Sequence, residues 1–165
     1  MMKRLGIAVT VLALGLVAGC GDDNNGNPGG PSNTTIFTVQ LLPSLENPPI
    51  TNAENSARGT AVITVNSQAN TIDFAVSLNS FPTTSTLTAA HIHPGATGVN
   101  GGVLIGTGLT AGNAPSLSSG SATFTFTGVS ATADQIAQIL ANPQNFYFNV
   151  HSTANPTGVM RGQLR

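Results

Sequence analysis

The chain has 165 residues, of which only 7% are charged, and its formal net charge at pH 7 is −1. This length suits one domain with its own hydrophobic core. The few basic residues form no patch that could neutralise phosphates, which argues against a nucleic-acid partner. A single cysteine excludes a disulfide framework and a cysteine-based metal site.

The N-terminus has the layout of a bacterial secretion signal. Lys3 and Arg4 precede an apolar run, residues 5–17, which is shorter than the roughly 20 residues needed to cross a bilayer. Small residues then lead to Cys20, and the sequence VAGC resembles the lipobox of bacterial lipoprotein precursors. We therefore expect residues 1–19 to be a signal peptide that is removed, and Cys20 to carry lipid that holds the protein on a membrane.

The segment after Cys20 predicts a flexible connection between the lipid anchor and the folded domain. Residues 21–33 contain no apolar side chain, so we expect residues 20–33 to form a lipidated cysteine and a disordered tether. Gly21, rather than Asp, follows the cysteine, which is typical of outer-membrane sorting in Gram-negative bacteria. The expected location is the cell envelope, with the domain outside the cytoplasm.

Residues 34–165 show the two-residue alternation of β-strands. In residues 71–78, Ile72, Phe74, Val76 and Leu78 share one face, and small or polar residues the other. Similar runs, separated by Gly, Pro, Asn and Ser, occur at 35–41, 59–65, 88–93, 103–107, 121–127, 146–151 and 159–164. This pattern predicts an all-β domain, a single antiparallel β-sandwich of Ig-like or Greek-key type.

One segment has helical spacing instead. Thr132 and Gln135 form a capping-box pattern, apolar residues follow at helical spacing, and Asn142-Pro143 ends the run. We expect one short helix that covers the core, without a functional role.

The three histidines are the strongest candidates for chemistry. Residues two apart on a strand point the same way, so His91 and His93 share a face, and His151 lies on the face opposite Val150. If Ile92 and Val150 point into the core, all three histidines lie on the other surface of neighbouring strands. Three imidazoles in this arrangement suit copper or zinc and leave a coordination position open.

A structural role is the competing hypothesis, and the residues alone favour it. The imidazoles would then bond to loop carbonyls and fix the Gly-rich turns after each strand. Ring nitrogens that converge within about 4 Å would favour a metal, whereas separated rings bonded to carbonyls would favour the structural role.

Four motifs in order along the chain resemble the CHRD domain: residues 45–50 (LENPPI), 90–95 (AHIHPG), 148–152 (FNVHS) and 158–164 (GVMRGQL). The resemblance covers residues 35–165 and implies an extracellular all-β domain, without supplying an activity. The closing motif of the family usually has Glu where this chain has Val159, so any role of that carboxylate is absent here.

Glu46, Asn149 and Arg161 belong to these motifs, and we interpret them as structural. In a chain so poor in charge, Glu46 would meet backbone amides or Arg161 and tie an early loop to the last strand. The alternative is that Glu46 is a fourth metal ligand or an acid/base group.

Enzyme signatures are missing: the sequence has no nucleophile elbow, no phosphate-binding loop and no His-Glu-x-x-His motif. We therefore expect no enzyme. The sequence favours a non-enzymatic binding or structural module of the cell envelope, with an envelope protein or polymer as partner. The alternative is a copper- or zinc-binding envelope protein that uses His91, His93 and His151.

Overall fold

The computed structural model describes residues 33–165. The predicted signal peptide, the lipidation site Cys20 and tether residues 21–32 lie outside this range. Within it, no helix is both long enough and apolar enough to cross a membrane.

The described residues form eight β-strands, one α-helix and three short 3₁₀ turns. The turns are Pro43–Leu45, Ala53–Ser56 and Pro143–Asn145. The helix α1 spans Ala133–Ala141. The strands are β1 (Thr34–Leu41), β2 (Arg58–Asn66), β3 (Thr71–Asn79), β4 (Leu87–Pro94), β5 (Ile105–Gly106), β6 (Ala122–Ser130), β7 (Phe146–Ser152) and β8 (Met160–Gln163).

The strands of residues 33–165 form two antiparallel sheets of four. The order is β1-β2-β3-β6 in the first sheet and β5-β4-β7-β8 in the second. The chain passes between the sheets after β3, β5 and β6. At one edge the sheets meet, because Leu42, just after β1, exchanges two backbone hydrogen bonds with Arg161 of β8. The predicted all-β antiparallel sandwich is confirmed.

A continuous apolar core lies between the sheets. Alternation along β2 and β3 buries every second side chain, as the period-two pattern predicts. Phe74 of the first sheet and Phe148 of the second are fully buried, and their rings stack with centroids 5.6 Å apart. This aromatic pair joins the two layers near the middle of the sandwich.

The predicted helix is confirmed in detail, whereas the strand bounds differ from the prediction, most of all at β5 and at the end of β6. Thr132 and Gln135 make both bonds of a capping box, and Ile136 and Ile139 are buried against the core. Strand β5 has only two residues, since the Gly-rich sequence around it pairs with β4 at His91 and Ile92 alone. Strand β6 continues past Gly128 to Ser130. The pairing of β3 and β6 is irregular at this point, and the N–H of Gly128 donates a hydrogen bond to the side chain of Asp73.

Truncation of Phe74 should test the contact between the sheets. We expect Phe74→Ala to lower the free energy of unfolding by about 3–5 kcal/mol, because it leaves a cavity in a fully buried layer. Ile36→Ala is the control, since Ile36 is 62% exposed and its loss should cost less than about 0.5 kcal/mol. Urea unfolding followed by circular dichroism measures both. Equal losses would show that the Phe74–Phe148 pair does not join the sheets.

Candidate metal centre

The second sheet has a polar face that points away from the apolar core. Ile92 of β4 and Val150 of β7 are fully buried in the core. Because neighbouring residues on a strand point to opposite faces, His91, His93 and His151 project from the other side of these two adjacent strands. The structure thus brings together the three histidines that the sequence singled out.

This polar face is buried, in contrast to the open surface that alternation alone implied. Every residue of β7 is buried, and His93 and His151 are only 6% and 8% exposed. Three loop segments supply the cover: residues 42–52, 95–104 and 153–158, each of which bonds to a side chain of the face. His91 is half-buried and is the least covered of the three histidines.

The three imidazoles form one cluster. Each histidine contributes one ring nitrogen, and these three nitrogens lie within 4.8 Å of one another. His91 Nδ1 and His151 Nε2 are 3.1 Å apart, within hydrogen-bond distance. Nitrogens around a tetrahedral or trigonal zinc or copper ion lie about 3.3–3.6 Å apart, given metal–nitrogen bonds of about 2.0–2.1 Å. Small ring rotations would therefore bring all three nitrogens into coordination distance.

Backbone carbonyls fix the tautomers of two rings. His93 Nδ1 donates to the carbonyl of Gly101 at 3.1 Å, and His151 Nδ1 donates to the carbonyl of Pro156 at 3.0 Å. A carbonyl oxygen only accepts, so Nδ1 carries the proton in both rings and Nε2 carries the lone pair. His93 Nε2 is buried and, among the atoms of the described residues, has no hydrogen-bond partner.

The two hypotheses for the histidines therefore do not exclude one another. The rings bond to loop carbonyls, as the structural role requires, and they also converge, as a metal site requires. Metal-binding histidines usually donate their second ring nitrogen to a carbonyl or carboxylate, which fixes the ring and makes the free nitrogen a better ligand. Here the carbonyl bonds leave the Nε2 atoms of both rings unprotonated; that of His93 has no partner among the described residues, and that of His151 accepts a hydrogen bond from His91 Nδ1.

The electrostatic environment keeps the rings neutral at physiological pH. Burial lowers the pKa of His91 to about 4, and the nearby rings of His151 and His93 add to the shift. Burial also lowers the pKa values of His93 and His151, while their bonds to backbone carbonyls oppose the shift. Neutral imidazole is the form that binds metal, so the loss of binding on acidification should occur well below the ordinary histidine pKa of about 6.5.

Tyr147 and Arg161 pack beside the cluster. The ring of Tyr147 stacks on His93 with centroids 4.9 Å apart and planes 7° apart, and its hydroxyl accepts a hydrogen bond from the N–H of Gly101. The guanidinium of Arg161 lies 4.6 Å from the centre of the Tyr147 ring, in cation–π contact. Tyr147 therefore holds both His93 and the loop that caps His93.

Arg161 ties the early loop to the last strand, as expected, although not through Glu46. Its Nε donates to the carbonyl of Leu45 at 2.5 Å, and its Nη1 donates to Asn100 Oδ1 at 2.8 Å. Two separate loops are thus fastened to β8 by one buried guanidinium. Such charge-assisted bonds are stronger than those between neutral groups.

Glu46 meets Asn149 instead. Asn149 Nδ2 donates to Glu46 Oε1 at 2.6 Å, and both residues are buried. Burial raises the pKa of Glu46 to about 7, while the charge of Arg161 and the bond from Asn149 oppose the rise. Asn149 is the cross-strand partner of His91, so this pair lies beside the histidine cluster.

A second buried carboxylate supports the turn after β7. Glu54 accepts hydrogen bonds from the hydroxyls of Ser85 and Ser152 and from Asn155 Nδ2. These bonds fix the start of the loop whose Pro156 carbonyl meets His151. Sequence reasoning missed Glu54, because no local pattern places it next to residues about 100 positions away.

Tyr147 and Gly158 were also missed. The sequence contains one signal for Tyr147, because two-residue alternation places it on the same strand face as His151. Its stacking on His93 depends on how β4 and β7 pair, which alternation does not give. Gly158 has a φ of +137°, and a Cβ atom there would lie 2.8 Å from Glu46 Oε1 and still closer to Asn149 Nδ2. Only glycine allows the loop to pass so close to this pair.

Substitution of Gly158 tests that close approach. We expect Gly158→Ala to lower the free energy of unfolding by more than about 2 kcal/mol, because it adds overpacking to backbone strain. Gly98→Ala is the matched control, since Gly98 also has a positive φ but has open space around the position of a Cβ atom. Its cost should be about 1 kcal/mol, from strain alone. Thermal or urea unfolding gives both values, and equal costs would show that the Glu46–Asn149 pair does not restrict position 158.

Comparison with known proteins bears on the whole domain. Residues 37–164 match the CHRD domain, and this range contains every residue of the histidine cluster and its cover. No curated protein matches the chain, and no solved structure matches it. Since the match spans most of the sequence, the chain belongs to the CHRD domain family.

Proposed function

We propose that this protein is a non-enzymatic CHRD module of the cell envelope that binds one copper or zinc ion through His91, His93 and His151. One observation carries the proposal: the three ring nitrogens converge while two of the rings are locked by carbonyls in the tautomer that binds metal. His93 Nε2 is buried within the cluster, and among residues 33–165 its lone pair has no hydrogen-bond partner, so it can bind a metal ion.

The chemistry of the ligands favours copper or zinc over harder ions. Imidazole nitrogens suit both metals, whereas calcium and magnesium prefer oxygen ligands. Three neutral ligands leave the charge of the ion uncompensated, and the nearby carboxylate of Glu46 offsets part of that charge when it is ionised. The bonds to Gly101 and Pro156 are the outer-shell contacts that a metal-binding histidine normally makes.

Metal analysis of the full chain tests the proposal. The protein, purified without a polyhistidine tag, should hold one equivalent of copper or zinc after titration and removal of excess ion. His91→Ala, His93→Ala and His151→Ala should each weaken binding by more than about 100-fold, because even outer-shell partners contribute 10–100-fold. Binding at pH 6 should stay close to that at pH 7 and should weaken as the pH falls through about 4, where protons begin to compete for His91.

Gln40→Ala provides the control for metal binding. Gln40 is exposed on β1 of the first sheet, and its side chain bonds to the hydroxyl of Thr60. This variant should bind metal as the unchanged protein does. Metal binding that is equal in the three histidine variants and the unchanged protein would contradict the proposal, and the histidines would then serve only to fix the loops.

We also propose that the module is lipid-anchored through Cys20, with residues 21–33 as its tether. In a Gram-negative host, the protein should incorporate labelled palmitate and fractionate with the outer membrane, and Cys20→Ser should abolish both. Gly21→Asp is the matched variant, since it keeps the lipid but should move the protein to the inner membrane. Palmitate-free protein from the unchanged sequence would overturn the anchor.

A further inference from the structure

Asn149 neighbours all three histidines of the cluster. It is the direct cross-strand partner of His91, and it precedes His151 by two residues on the same face of β7. His93 is its diagonal neighbour across the β4–β7 pair, at a separation that long side chains span. Its side chain is 2% exposed, so whatever its polar atoms contact must lie within this covered layer.

The orientation of the Asn149 carboxamide is fixed by Glu46. The Nδ2 atom donates to Glu46 Oε1 at 2.6 Å, which leaves Oδ1 pointing away from that carboxylate. The backbone of Gly158 passes so close to both groups that a Cβ atom there would clash with them. Asn149 Oδ1 is therefore a hydrogen-bond acceptor with a set direction.

This acceptor has no donor among the described residues. Three buried side-chain atoms of residues 33–165 have no hydrogen-bond partner: Asn149 Oδ1, His93 Nε2 and the donor Arg161 Nη2. The first two are lone-pair atoms of the same polar layer, and buried polar atoms in folded proteins are nearly always satisfied. A metal ion takes up the lone pair of His93, but an ion with three imidazole ligands still has one position to fill in a tetrahedral site.

We propose that the metal ion keeps this fourth position for a water molecule, and that Asn149 Oδ1 accepts a hydrogen bond from that water. This inference rests on the proposed metal site. It accounts for both unpartnered acceptors at once, since the ion binds His93 Nε2 and the water donates to Asn149 Oδ1. Asn149 and Glu46 are positioning residues in this arrangement, because neither binds the metal.

The fixed acceptor also determines which ligands the open position selects. A ligand whose binding atom carries a hydrogen, as water and hydroxide do, can donate to Asn149 Oδ1. A bare anion such as azide places lone pairs against that oxygen and leaves it without a donor. The site therefore discriminates in favour of hydrogen-bearing oxygen ligands and against unprotonated anions.

The test uses the full chain loaded with Cu(II), because copper binds nitrogen sites more tightly than the other divalent ions of its row. Pulsed electron paramagnetic resonance in D₂O should detect strongly coupled exchangeable deuterons from a bound water. Azide titration, followed by the azide-to-copper charge-transfer band, should show affinity that rises about tenfold in Asn149→Leu, since one hydrogen bond no longer opposes displacement of the water.

Asn149→Asp separates positioning from a purely structural role. It keeps an acceptor beside the water, so its azide affinity should stay at or below that of the unchanged protein, although like Asn149→Leu it removes the amide donor to Glu46. Should Asn149→Leu fail to fold, the deuteron measurement on the unchanged protein still decides the question. A loaded protein without bound deuterons, or with equal azide affinity in both variants, overturns this inference and leaves the metal site standing. Failure to bind Cu(II) at all overturns both proposals.

Discussion

The structure depends on the burial of β7 on both faces. One face contributes Phe146, Phe148 and Val150 to the apolar core, and the other carries Tyr147, Asn149 and His151 under a cover of loops. A polar face can be buried only if its groups find partners. The loops must therefore supply carbonyls, a carboxylate and a backbone N–H at set positions, and much of the remaining architecture serves this requirement.

Arg161 and Glu54 are the two charged groups that hold most of this cover in place. Arg161 binds the loops that contain Leu45 and Asn100, while Glu54 gathers the hydroxyls of Ser85 and Ser152. Charges are scarce in this chain, and these two are almost fully buried. Buried charges are costly unless well bonded, so the hydrogen bonds that hold the cover also offset part of the cost of burying these groups.

The proposed metal site depends on the same hydrogen bonds that allow the polar face to be buried. The carbonyls that bond to His93 and His151 also keep their Nε2 atoms unprotonated within the cluster. A structural requirement and a ligand-binding one are thus met by the same hydrogen bonds. Asn149 differs, since within residues 33–165 its Nδ2 has a hydrogen-bond partner and its Oδ1 has none. We therefore place the open coordination position on the Asn149 side of the cluster.

The sequence by itself determined the alternation of the strands, the capped helix and the shared face of the three histidines, because these follow from local periodicity and side-chain chemistry within a few residues. It also contained the four motifs of the CHRD domain. Only the tertiary structure decided that the histidine face is buried, that Glu46 bonds to Asn149 and that Tyr147 stacks on His93. These contacts join residues up to 103 positions apart, and they depend on strand register and loop path, which no local pattern encodes.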